Sequence, residues 1–61
     1  MSATRATRVL VVEDQRMFRV FLERWVGGLA GYVVAGAAST GEEALALAGG
    51  AEPDVMLVDL H

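Results

Sequence analysis

Two short aliphatic runs, Val9-Leu10-Val11-Val12 and Val55-Met56-Leu57-Val58, constrain this chain more than any other feature, because each ends in acid: Glu13 and Asp14 after the first, Asp59 after the second. Neither run has a polar face, so each reads as a fully buried strand of a parallel sheet. Parallel strands point the same way. Both runs therefore deliver their carboxylates to one edge of the sheet.

The residues between the runs supply two helices and a middle strand. Residues 1–7 are small and polar and read as a flexible N-terminal arm, with strand one over Arg8 to Val12. From about Gln15 to Val26, the positions Phe18, Phe21, Leu22 and Trp25 fall at i, i+3, i+4 and i+7, which predicts an amphipathic helix with those four on its core stripe. Arg16, Arg19, Glu23 and Arg24 are left for its solvated side. Gly27-Gly28 is expected to end the helix in the left-handed conformation that glycine tolerates. Tyr32 to Ala35 is strand two, with Gly31 as the turn before it.

The second helix carries a doubled start signal. Ser39 with Glu42, and Thr40 with Glu43, both have the capping-box spacing, in which a hydroxyl and a carboxylate satisfy the free amides of a first turn. Gly49-Gly50 is expected to end this helix, and Pro53 forbids its resumption. Asp54 then opens strand three.

Strand, helix, strand, helix, strand implies an α/β fold with right-handed crossovers. If strand three continued outward past strand two, the acids would stay apart. If the chain reverses, giving the order 2-1-3, strands one and three lie about 4.8 Å apart and their ends form a switch-point crevice. The acids at just those two ends favour the order 2-1-3.

Composition narrows the function classes. At 61 residues the chain is one small unit, burying only about 60% of the surface that its unfolded form exposes. It contains no Cys, so disulfides and thiolate chemistry are excluded. A net charge of -3 argues against contact with nucleic acid, whose binders are basic. No apolar run approaches the roughly 20 residues that span a bilayer, which points to a cytoplasmic protein with no membrane contact.

Three carboxylates at one crevice repel one another, and protonation or a bound cation relieves the repulsion. Oxygen-only ligation suits a hard ion, and Mg²⁺ is normally held by one or two carboxylates while it keeps waters and phosphate oxygens. One carboxylate is then free to attack phosphorus, forming an aspartyl phosphate.

Val9-Leu10-Val11-Val12-Glu13-Asp14, Ala38-Ser39-Thr40-Gly41-Glu42-Glu43-Ala44-Leu45 and Pro53-Asp54-Val55-Met56-Leu57-Val58-Asp59-Leu60, in that order and with short connections, resemble the receiver domain of bacterial two-component response regulators. The resemblance covers residues 8–61 and only the first half of such a domain, which has five strands and five helices in full. It implies a partial flavodoxin-like, doubly wound parallel sheet. It also implies a phosphoacceptor module that takes a phosphoryl group from a phosphohistidine of a sensor histidine kinase, and no enzyme beyond Mg²⁺-assisted self-phosphorylation. Carried over residue by residue, Asp59 is the phosphoacceptor, Asp14 a direct Mg²⁺ ligand, Glu13 a ligand mainly through water, and the backbone carbonyl of His61 the last protein ligand. The hydroxyl residue and the Lys that read the phosphoryl group lie on later strands in the family, and this chain has no Lys.

Other readings remain. Asp14 could simply cap helix one, and Asp59 a helix that follows. A nucleotide-binding half-domain needs a Gly-rich turn after strand one, and Val12 to Arg16 has no Gly. A phosphatase with a strand-end Asp nucleophile normally has a second acid two residues on, where this chain has His61. The alternative of a different class is a receiver-like fragment acting only as an interaction module. In any of these, strand three presents an apolar edge through which two chains could associate.

Overall fold

The computed structural model describes residues 5–60, in the order β1 (Thr7–Glu13), α1 (Arg16–Gly27), β2 (Tyr32–Ala38), α2 (Gly41–Ala51) and β3 (Val55–Asp59). The three strands form one parallel sheet in the order β2-β1-β3, as the placement of the acids predicts. β1 is therefore central and hydrogen-bonded on both sides. Residues 1–4 of the expected arm lie outside the described residues. Thr7 already belongs to β1, where its amide donates to the carbonyl of Gly31 (2.8 Å).

β1 alternates between two cores. Val9 and Val11 face α1 and pack with Val26, Leu22, Val34, Ala37 and Leu57, whereas Leu10 and Val12 face α2 and pack with Ala38, Ala44 and Ala48. Each core is a helix laid on one face of the sheet, which is why β1 has no polar face in its sequence. The pairing register slips between Val9↔Val34 and Leu10↔Gly36, so Ala35 is an extra residue in β2. That bulge flips the alternation of the strand and turns Ala38 toward α2. Beneath Leu10, a Cβ on Gly36 would stand 3.2 Å from Leu10 Cδ1, so the bare backbone there makes room for the leucine.

Four expectations need correction. The stripe Phe18, Phe21 and Trp25 is not core: these residues are 51%, 63% and 52% exposed, and the inward positions of α1 are Leu22 and Val26. Periodicity identifies residues that share a helix face, but the sheet selects the face. Here α1 packs on β1 and β2, so its buried arc lies roughly a quarter turn from the aromatic one. Second, the run Val55 to Val58 is not fully buried, since β3 pairs on one side only and of its residues Leu57 alone packs against the core under α1; Val55, Met56 and Val58 are exposed. Third, Gly28 closes α1 with a right-handed φ of -88°, and the left-handed glycine is Gly31 at +86°. Fourth, α2 runs through Gly49-Gly50 to Ala51. It ends at Glu52, whose left-handed φ of 48° lets its amide donate to the Ala48 carbonyl and close the last turn, and Pro53 forbids resumption.

Candidate functional site

The ends of β1 and β3 bring two of the expected acids side by side. Glu13 and Asp59 are register partners in the parallel ladder, and Asp14 is the next residue of the chain. Adjacent parallel strands lie about 4.8 Å apart, so the three acidic residues stand at the carboxyl end of the sheet, where the chain reverses its direction of winding.

Their environments differ. Glu13 is wholly buried, and its Oε2 accepts a hydrogen bond from the amide of Gln15 (2.8 Å). Asp14 and Asp59 are exposed. Asp14 does not cap α1: the capping position is Gln15, which makes no side-chain cap hydrogen bond. The turn is held instead by Glu13 from below and by Arg19, whose Nη1 donates to the carbonyl of Glu13 (3.0 Å). Among the described residues no group of three His, Cys, Asp or Glu side chains is placed so that all three could hold a metal ion. The arrangement is thus an open oxygen-donor crevice, with one acid turned inward and two outward. His61 lies outside the described residues.

Sequence reasoning assigned Arg19 to the solvated face and missed its contact. The signal was its place within the first turn of α1. Helical side chains lean toward the N-terminus of their helix, so a long donor at that place reaches back to the preceding strand end.

At the neighbouring strand end, Thr40 caps α2, its Oγ1 accepting from the amide of Glu43 (3.0 Å), while Glu43 Oε1 accepts from the amide of Ser39 (2.7 Å). Of the two expected boxes, the Thr40 and Glu43 pair forms, with its return bond displaced by one residue. The other end of the sheet is pinned by a network that sequence reasoning did not foresee. Asp54 accepts from the amide of Arg8 (2.8 Å) and pairs with Arg5 (2.6 Å), and the Arg8 guanidinium donates twice to the Ala51 carbonyl (3.0 and 2.8 Å) at the end of α2. The backbone amide of Arg8 and the charge and hydrogen bond of Arg5 hold the Asp54 carboxyl below its usual range. No helix among the described residues is long and apolar enough to cross a membrane.

No family model matches the chain, and no solved structure does. Among curated proteins, it is 44% identical over 57 residues to protein-glutamate methylesterase/protein-glutamine glutaminase 2 of Anaeromyxobacter dehalogenans, a match covering 93% of this chain and 17% of that protein. It is 47% identical over 54 residues to the positive alginate biosynthesis regulatory protein of Pseudomonas aeruginosa, covering 87% of this chain and 22% of that protein. It is 42% identical over 53 residues to the response regulator GacA of Pseudomonas viridiflava, covering 87% of this chain and 25% of that protein. The chain therefore spans a quarter or less of the length of these relatives. Shared sequence over nearly all of this chain, with three parallel strands in the order 2-1-3 and a helix on each face, is consistent with a fragment of a response-regulator receiver domain.

Proposed function

We propose that residues 8–61 act as the phosphoacceptor segment of a receiver module in a cytoplasmic two-component phosphorelay, with Asp59 as the acceptor and a sensor histidine kinase as the donor. The observation that carries this reading is the register pairing of Glu13 with Asp59, with Asp14 following, at the carboxyl ends of adjacent parallel strands. The donor set fits Mg²⁺. Exposed Asp14 and Asp59 are suited to direct ligation, and buried Glu13, already engaged with the Gln15 amide, is suited to a supporting role through water. Open coordination is what Mg²⁺ normally requires, since it keeps several waters. The carbonyl of His61 is the remaining ligand that the family pattern implies.

In transfer, an Asp59 carboxylate oxygen forms a bond to phosphorus as the P–N bond of the donor phosphohistidine breaks, and the imidazole nitrogen keeps the electron pair and takes a proton. A bound Mg²⁺ supplies charge neutralisation for the incoming phosphoryl oxygens. Asp14 would hold the cation, and the exposure of Asp59 on the edge strand β3 would let a donor reach it. In this reading the segment does no chemistry other than accepting the group. It contacts neither nucleic acid nor membrane, and the open edge of β3 is a place for self-association.

The test is incubation with phosphoramidate and Mg²⁺, read by intact mass. Uptake of one hydroxylamine-labile phosphoryl group that Asp59→Asn abolishes is the expected result. Uptake that survives Asp59→Asn overturns the assignment of the acceptor, and no uptake at all leaves the interaction module as the better reading.

A further inference from the structure

Asp14 stands between two hydrogen bonds that both end on Glu13. On one side, the amide of Gln15 donates to Glu13 Oε2 (2.8 Å) and closes a tight turn around Asp14. On the other, Arg19 Nη1 donates to the carbonyl oxygen of Glu13 (3.0 Å), an atom of the peptide that joins Glu13 to Asp14. A peptide group is planar, so fixing that oxygen also fixes the amide nitrogen and Cα of Asp14. The Arg19 bond is partly buried, and Arg19 is anchored in the first turn of α1, where its own amide donates to the Gln15 carbonyl (2.9 Å). Asp14 is exposed and makes no cap to α1, so this bracket on its peptide is what holds its backbone.

We infer that Arg19 is a positioning residue of the cation site: its guanidinium holds the Glu13 to Asp14 peptide, and with it the backbone from which the exposed Asp14 carboxylate projects. The inference rests on the proposed reading of Glu13, Asp14 and Asp59 as a Mg²⁺ site. It gives a positive charge a constructive role beside a cation, and that makes it separable from simple electrostatics. A guanidinium near the site repels a divalent ion, so its removal on Coulombic grounds alone strengthens Mg²⁺ binding. Positioning demands the opposite sign. Groups that orient a metal ligand typically contribute about 10- to 100-fold in metal affinity, and Arg19 acts through one backbone oxygen, which places it at the lower end.

The experiment is two-dimensional amide NMR on the full chain as wild type, as Arg19→Met, which keeps the apolar stem, and as Arg19→Lys, which keeps the charge without the planar fork. Without metal, Arg19→Met is expected to shift the amides of Asp14 and Gln15 and to speed hydrogen exchange at Gln15, with Ala38 and Ala44 unmoved. On titration with Mg²⁺, its dissociation constant is expected to rise about tenfold, with Arg19→Lys between it and wild type. Wild-type affinity in Arg19→Met, or tighter binding, overturns the positioning role while leaving the site intact. A wild-type chain whose Asp14 and Asp59 amides ignore Mg²⁺ overturns the site reading itself, and the role of Arg19 with it. If Arg19→Met loses the dispersed signals of Ala38 and Ala44, Arg19→Lys decides: weaker binding than wild type supports positioning, and equal binding sinks it.

Discussion

Glu13 and Asp59 are direct partners across β1 and β3, yet Glu13 is wholly buried and Asp59 is exposed. The difference follows from strand position: β1 is covered on both faces and both edges, and β3 has one free edge. Burial commits Glu13 to the fold, because its carboxylate satisfies the Gln15 amide at the entry to α1. Glu13→Ala leaves that amide without its partner and is expected to cost about 1–3 kcal/mol. Glu13→Gln keeps a carbonyl acceptor of nearly the same shape and is expected to cost less. Urea unfolding of the two variants checks the order, and equal losses would show that the hydrogen bond is not what Glu13 contributes.

The exposed pair should behave in the opposite way. Asp14 is exposed and does not cap α1, so it has no structural duty at the start of that helix. Asp14→Asn removes one of the like charges at this sheet edge and is expected to leave stability within about 0.5 kcal/mol of wild type or to raise it. Asp14→Asn and Asp59→Asn are both expected to weaken Mg²⁺ binding. Thermal melts with and without Mg²⁺ measure both effects, and a large loss of stability in metal-free Asp14→Asn would return Asp14 to the role of a structural cap.

Leu10 and Gly36 form a second coupled pair. Leu10 is fully buried on the α2 face, and Leu10→Ala is expected to cost about 2–5 kcal/mol. In wild type, Gly36→Ala forces its Cβ against Leu10 Cδ1 at 3.2 Å and is expected to destabilise by about 1 kcal/mol or more. Combined with Leu10→Ala, the same methyl enters the space vacated by the leucine. The double variant is therefore expected to be more stable than the sum of the single losses predicts. A simply additive result would show that Gly36 is required for backbone reasons at the bulge and not for clearance.

Much of this fold was legible in the sequence because its signals were local or categorical. Apolar runs ended by acid gave the central strand and the strand order, and Thr40 with Glu43 gave the start of α2. What was illegible depended on neighbours. The aromatic stripe of α1 has helical periodicity, but only the sheet determines which arc of that helix is covered, and it covers Leu22 and Val26. The bulge at Ala35 was marked only by Gly36 beside it, since a glycine inside a strand signals a bulge without fixing its place. At the site, the identity and sheet edge of Glu13, Asp14 and Asp59 were readable from strand ends. The inward turn of Glu13 and the reach of Arg19 were not, because both depend on the path of the loop between β1 and α1.

Far from the crevice, the clamp of Asp54 on the start of β1 carries its own pH signature. Asp54 accepts from the Arg8 amide and pairs with Arg5, and these interactions, the backbone hydrogen bond foremost, lower its folded pKa beneath the ordinary aspartate value of 3.8. A group whose folded pKa is depressed binds protons less readily in the folded state than in the unfolded one. Its contribution to stability is fully present above the unfolded value and is lost as the pH falls from there through the folded value. Asp54 is solvent-accessible, so screening by salt weakens the Arg5 share more than the Arg8 hydrogen bond. The expected outcome is that Asp54→Asn is less stable than wild type at neutral pH and that the gap closes as the pH falls below about 4. Added salt is expected to narrow the gap at neutral pH without abolishing it. A pH series of urea midpoints for the two proteins measures this difference and cancels the titration of the other carboxylates. A gap independent of pH down to the acid limit would mean that the side chain holds β1 by its shape and not by its charge.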